Sequence, residues 1–185
     1  MYFTGTLCRV RLNRKQFRAL QVGEKIFMLL LVPVKTQEQI EQVKEIFNEY
    51  ATSLGFDLTF QNFQQELEEL PGEYSPPEGR LFLAVYDGQI AGSVALRKSA
   101  ENISEMKRLY VRPKFRGLGI GRTLAELIIE EATKIGYSIM RLDTLSSMKD
   151  ASTLYLSLGF RETDPYRYNP LDNAVYMEKN LSNLL

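Results

Sequence analysis

Arg116-Gly117-Leu118-Gly119-Ile120-Gly121-Arg122 sets three glycines in five positions between an extended segment, Leu109-Tyr110-Val111, and a strongly periodic helix. Glycine at this density lets backbone come close to a ligand. The first turn of a helix leaves amide N–H groups without intrahelical acceptors and carries partial positive charge. Together these features make an anion site, most often for phosphate. Arg116 and Arg122 add fixed charge on either side. The residues read as a pyrophosphate site at the head of the helix.

Outward from that site, Ile120, Leu124, Leu127, Ile128, Ala132 and Ile135 form one apolar stripe, and Gly136 ends the helix. Upstream, Leu81–Tyr86 and Ile90–Leu96 are strands joined by the tight-turn pair Asp87-Gly88. A third strand runs from about Ile103 to Val111, completing an antiparallel meander that Pro113 helps to stop. Further back, Ile26–Val34 is a short buried strand, and Thr36 with Gln39 forms a capping box. The helix they open buries Ile40, Val43, Ile46, Phe47, Tyr50 and Leu54 and can end at Gly55. Phe60, Phe63, Leu67 and Leu70 suggest a second, shorter helix, and the Pro71–Gly79 segment reads as a rigid loop. Downstream come a strand at Ser138–Thr144 and a short helix at Met148–Ser157. Closing strands follow at Phe160–Thr163 and Ala174–Glu178, around a Pro165–Pro170 loop. The expected organisation is a single α+β domain over residues 26–185, preceded by an N-terminal extension, residues 1–25, of uncertain structure.

Composition narrows the chemistry. Apolar residues make up 44% and charged residues 25%, ordinary for a globular protein, and 23 Lys plus Arg balance 23 Asp plus Glu. That balance gives no global attraction to nucleic acid or anionic membrane, so neither is expected as a partner. With no histidine and one cysteine, Cys8, there is no Ser-His-Asp or Cys-His nucleophile, no intramolecular disulfide and no expected metal site. Cys8 reads as a bland small residue. The longest apolar run, near Ile26–Val34, is too short to span a bilayer. Its basic lead-in (Arg9, Arg11, Arg14, Lys15, Arg18) is like that of a signal peptide, but no small-residue cleavage site follows. The expected compartment is cytoplasmic.

Two nucleotide motifs fail. A P-loop would need glycine at Arg116 and lysine at Arg122. A dinucleotide fingerprint counted from Gly117 ends on Arg122, and counted from Gly119 it ends on Leu124. The pattern that fits is R/Q-x-x-G-x-G, over Arg116–Gly121. With its flanking strand and helix it resembles the GNAT family, the Gcn5-related N-acetyltransferases. Ala151-Ser152-Thr153-Leu154-Tyr155 followed by Leu158-Gly159-Phe160 is similar to the family's second pattern, A-x-x-L-Y-x-x-x-G-F. The order of elements over about residues 26–180 also agrees. One departure stands out: the family often has Asn three residues before that alanine, where this chain has Met148, leaving Ser146, Ser147 or Asp150 to substitute.

The resemblance implies a mixed, mostly antiparallel central sheet flanked by helices, the acyl-CoA N-acyltransferase fold. It implies acetyl transfer from acetyl-CoA to a primary amine by direct attack in a ternary complex. The cofactor's pyrophosphate would meet Arg116, Gly117, Leu118, Gly119, Ile120, Gly121 and Arg122, and its pantetheine arm would pair with Leu109, Tyr110 and Val111. A protonated amine cannot attack, so a base is needed. Glu105, eleven residues before Arg116, matches the family's glutamate base, direct or through water; the bland alternative is a strand Glu paired with Lys107 or Arg97. Tyr155 matches the phenol that protonates the leaving thiolate, against a packing role. Arg97, Tyr74, Tyr166, Tyr168 and Asn169 are weaker candidates for the acceptor side. The acceptor is expected to be a small-molecule amine or amino acid ahead of a protein N-terminus. The family's frequent dimers admit a homodimer. A non-catalytic acyl-CoA-binding regulatory module and a dinucleotide-dependent oxidoreductase are the competing readings.

Overall fold

The computed structural model describes residues 17–22, 25–55 and 62–182. Cys8, the basic residues from Arg9 to Lys15, and Phe60 lie outside the described residues. Twelve elements follow one another: β1 (Phe17–Val22), β2 (Lys25–Pro33), α1 (Gln37–Leu54), α2 (Phe63–Glu69), β3 (Arg80–Tyr86), β4 (Gln89–Ala100), β5 (Ile103–Val111), α3 (Ile120–Ile135), β6 (Ile139–Leu145), α4 (Lys149–Ser157), β7 (Arg161–Glu162) and β8 (Ala174–Asn180). The described strands form one sheet in the order β1-β2-β3-β4-β5-β6-β8-β7. All neighbours are antiparallel except β5 and β6, which run parallel and are linked through α3.

The sheet is covered on both faces. Leu81 and Leu83 of β3 pack with Val43, Ile46 and Phe47 of α1, while Phe82, Ala84 and Tyr86 pack with Leu124, Ile128 and Ala132 of α3. Successive side chains of a strand point to opposite faces. A strand buried on both sides therefore reads as the unbroken apolar run Leu81–Val85 rather than as an alternation.

Local signals in the sequence match local structure. Gln39 N–H donates to Thr36 Oγ1 at 3.3 Å and Thr36 N–H to Gln39 Oε1 at 3.1 Å, the reciprocal capping box of α1. Gly55 (φ 74°) and Gly136 (φ 104°) end α1 and α3 in the left-handed region. Asp87 (φ 48°) and Gly88 (φ 77°) form the two-residue turn between β3 and β4.

Three features differ from expectation. The sheet begins inside the segment read as an extension, because β1 pairs antiparallel with β2 from Phe17↔Leu30 to Val22↔Lys25. A short edge strand held by a backbone ladder leaves little apolar period to read. The Pro71–Gly79 loop contains a single 3₁₀ turn, Gly72–Tyr74. The strand expected at Phe160–Thr163 shrinks to two residues, with Phe160 itself fully buried in the core. No helix of the described residues is long and apolar enough to cross a membrane.

Candidate functional site

The site begins with a defect in β5. Ser93 of β4 pairs with Tyr110, but Ala95 pairs with Lys107, so two residues of β5, Arg108 and Leu109, face the single Val94. This is a β-bulge. Arg108 takes φ 53°, a left-handed backbone that is uncommon for a long side chain. Ser93 Oγ–H donates to the Arg108 carbonyl at 3.1 Å, and Arg108 itself is tied to Glu66 of α2 and covered by Phe63. Gly92 is required here: a Cβ at that position would stand 2.2 Å from the Tyr110 carbonyl oxygen.

The bulge inverts the facing of the strand. Before it, Met106 joins the α3-side core; after it, Leu109 and Val111 pack on that side and Tyr110 joins the α1-side core. The β5–β6 ladder also stops early, covering only Ile103–Glu105 against Ile139–Arg141. Beyond that point the strands diverge, and β6 keeps β8 as its only ladder partner among the described residues. A wedge-shaped opening results, with the backbone of β5 free along one edge.

The glycine loop sits at the wide end of the wedge. A 3₁₀ turn, Pro113–Phe115, leads into Gly117 (φ 76°) and Gly119 (φ 75°), and Gly119 precedes α3 without any side-chain cap. The helical ladder starts with Thr123 N–H to the Gly119 carbonyl, leaving the first-turn amides of Ile120, Gly121 and Arg122 without acceptors inside the helix. A Cβ placed on Gly121 would meet only Val111 at 3.7 Å and Leu154 at 3.9 Å, both beside the opening. Open amides, a positive helix end and unfilled space at Gly121 fit a diphosphate.

Two connected parts make up the cleft. The wide part, about 620 Å³, is lined by Leu109, Tyr110, Val111, Arg116, Gly117, Gly119, Ile120 and Gly121, with Ser147 to Ala151 and Leu154 opposite. The inner part, about 70 Å³, is lined by Met106 to Arg108, Leu142 to Leu145, Asn169 and Leu171. Tyr50, Leu109, Met148, Ala151 and Tyr155 belong to both and form the junction. Tyr155 lies edge-on to Phe160, and burial raises its phenol so that it stays protonated.

Charge concentrates behind the inner part. Glu105, 1% exposed, binds Arg97 through Nε and Nη2 at 2.8 Å, accepts from Tyr166 Oη–H at 3.0 Å and lies 4.0 Å from Lys107 Nζ. Lys107 Nζ is 3.6 Å from Asp143 Oδ1, which lines the cleft from β6. Arg167 Nη2 approaches Asp143 Oδ2 to 2.5 Å and its Nε approaches Glu105 to 3.6 Å, yet neither N–H has a well-aligned acceptor. Burial pushes both carboxyls up, but Lys107 and Arg167 outweigh it, with Arg97 adding to the effect on Glu105, so both lie below the usual range. Burial pulls Lys107 down, Glu105 and Asp143 pull it back, and the amine settles at about 8.

Most of the expected cofactor residues line the wide part; two do not. Leu118 packs against the core, and the exposed Arg122 side chain turns to Ser157 at 2.6 Å and Glu126 at 3.6 Å. Arg116 stays at the cleft, with Nε–H donating to the Val111 carbonyl at 3.0 Å. On the acceptor side, Asn169 reaches the inner part and Tyr166 stands behind it on Glu105. Glu105 lines neither part, because the cations that neutralise it also enclose it. Arg97 and Tyr74 border a different groove with Glu66, Glu69 and Glu73, where Tyr74 donates to Glu66 at 2.7 Å. Tyr168 is exposed on the surface. At the position of the expected Asn, Met148 precedes α4 and takes the Thr144 hydroxyl on its sulfur at 3.7 Å; Ser147 and Asp150 share its place at the cleft, whereas Ser146 does not. Lys107 and Asp143 were not anticipated. Their only sequence signal is charge within strands that are otherwise largely apolar.

A family model described as the acetyltransferase (GNAT) family matches residues 40–160. A Schizosaccharomyces pombe protein named an uncharacterized N-acetyltransferase is 42% identical over 151 residues, covering 80% of this chain and 93% of its own. Among solved structures, a GNAT-family acetyltransferase of Staphylococcus aureus superposes with a TM-score of 0.70 at 23% identity, over 83% of this chain and 99% of its own. A Salmonella typhimurium protein solved with its cofactor acetyl-CoA gives a TM-score of 0.61 at 20% identity, over 83% and 94% of the two chains. These last two likenesses concern the fold.

Proposed function

This chain belongs to the GNAT acetyltransferase family, an acetyl-CoA-dependent acyltransferase family, and from that premise we propose that it moves an acetyl group directly onto the amine of a small molecule or amino acid. The observation that carries the reading is the wedge between β5 and β6: it opens beside the uncapped start of α3 and narrows to a junction closed by Tyr155. Acetyl-CoA, when bound, supplies the acetyl thioester.

The chain's own groups divide the remaining work. Amides of Gly117 to Arg122, with the Arg116 guanidinium, would hold the diphosphate. The unpaired edge of β5 at Leu109 and Val111 would take the pantetheine arm as an added strand. An amide near Leu109 or Tyr110 would polarise the thioester carbonyl, which is more effective inside a water-poor site. Tyr155, kept neutral by burial, has a proton to give to the leaving sulfur. Of the two carboxylates, Asp143 reaches the cleft; held below the usual range it is a weak base, so we assign it to holding the acceptor ammonium while the proton leaves through water. Glu105 is assigned to holding Arg97, Lys107 and Arg167 in place. The 70 Å³ of the inner part favours a small acceptor over a protein terminus.

The test uses the full chain. Acetyl-CoA at a hundredfold excess over its Kd should stabilise the fold by about 2.7 kcal/mol, and an amine panel should release free thiol. Stabilisation by NADH and not by acetyl-CoA would sink the reading.

A further inference from the structure

We propose that the acceptor is an amino acid whose carboxylate is taken by Lys107, at the inner end of the cleft between β5 and β6. The inference rests on the acetyl-transfer reading above and names the class of amine.

The first ground is location. Lys107 lines the inner part, two residues from Leu109 at the junction. Two residues of chain span at most about 7 Å, and less across the bulge at Arg108. An amine at the junction therefore has a buried ammonium within reach of a group only a few bonds away from it. Asp143, also at the cleft and 3.6 Å from Lys107, supplies the opposite charge. A zwitterion can exchange this pair for two of its own, one with each partner. A plain amine or polyamine would satisfy Asp143 and leave its other end against a lysine.

The second ground is balance. Three cations, Arg97, Lys107 and Arg167, converge on two buried carboxylates, Glu105 and Asp143. Arg97 finds its additional anion in Glu73, which is exposed at the surface. Counting Glu73, three cations meet three carboxylates, so a zwitterion keeps the network neutral where a plain ammonium would add an uncompensated positive charge. The third ground is Arg167, whose Nη2 lies 2.5 Å from Asp143 Oδ2 and keeps that carboxylate anchored when Lys107 turns to a ligand. A carboxylate at Lys107 takes the place that Asp143 gives up when it turns to the ligand's ammonium.

The experiment measures kcat/KM by thiol release for matched pairs: amino acids, side-chain acids among them, against the corresponding amines lacking every carboxylate. The wild type should prefer the acids on the order of a hundredfold, because the analogue draws Asp143 from Lys107 and returns no carboxylate to it. In Lys107→Met the ratio within each pair should fall toward one, and in Lys107→Arg it should be largely restored. The restoration separates recognition of charge from loss of folding. Equal turnover of acids and carboxylate-free amines, or a preference that survives Lys107→Met, would overturn the inference. So would stabilisation of the wild type by acetyl-CoA with no amino acid acetylated. Absence of any stabilisation by acetyl-CoA would instead bring down the transfer reading itself.

Discussion

The two parts of the cleft offer different groups to a ligand. The wide part offers backbone: amides at the start of α3, two left-handed glycines and the free edge of β5. The inner part offers side chains, with Lys107 and Asp143 at the cleft and Glu105, Arg97 and Arg167 behind them. Backbone recognition is indifferent to most substitutions and intolerant of a few, those that fill space or change φ. Side-chain recognition is the reverse: each charge can be exchanged, and each exchange alters what binds. The first part suits a ligand that never changes, and the second suits one that distinguishes this chain from its relatives.

Variants can break that division or sharpen it. Tyr155 stands at the junction and should show the largest effect. Tyr155→Phe deletes one hydroxyl and should lower kcat by about 10²–10⁴-fold, while acetyl-CoA affinity by calorimetry stays near wild type. Retained turnover would reduce Tyr155 to packing on Phe160. Gly121→Val should weaken acetyl-CoA binding by about 10- to 100-fold, on the argument that a branched side chain crowds the diphosphate space beyond Val111 and Leu154. Among acceptors it should not discriminate. A variant binding acetyl-CoA normally would detach the glycine loop from the site.

A smaller effect concerns pH. Lys107 in the free protein titrates at about 8, lowered by burial against the pull of Glu105 and Asp143, with Arg167 and Arg108 opposing. Its charge is present below that value and lost above it. For an amino-acid acceptor, kcat/KM should therefore fall on the alkaline side with a limb near 8, since this ratio reports the free enzyme. Lys107→Arg should move the limb out of range, because guanidinium does not titrate there. A limb unmoved in that variant would assign it to another group. The smallest effect is a control far from either part. Thr36→Ala removes half of the capping box of α1 and should cost about 1 kcal/mol of stability by denaturant unfolding, with the acid-to-amine preference intact.

The same division explains what could be read from residues alone. Gly117, Gly119 and Gly121 are visible because a backbone site demands a rare residue at fixed spacing. Thr36 with Gln39 and Asp87-Gly88 are visible for the same reason: local geometry selects local composition. The bulge at Arg108 is not, because its left-handed residue is not glycine and its price is met by distant partners, Glu66 and Phe63. Without the bulge, strand alternation assigns Glu105, Lys107 and Leu109 to one face; the choice of Glu105 as base rests on its spacing from Arg116. With it, Leu109 turns to the α3 side; Lys107 and Asp143 line the cleft, while Glu105 is enclosed by Arg97, Lys107 and Arg167. At Arg122 the side chain points along the helix to Glu126, and its amide is the group left facing the proposed anion site. β1 escaped because a backbone ladder at a sheet edge asks little of side chains.

The inversion at Arg108 and Leu109 also has a use for anyone wishing to redirect this catalyst. It splits β5 into two segments, so Lys107 can be varied while the bulge at Arg108 keeps the proposed thioester seat at 109–111 as a fixed platform. Retargeting then becomes a problem of one short stretch of chain and its neighbours on β6, rather than of the whole domain.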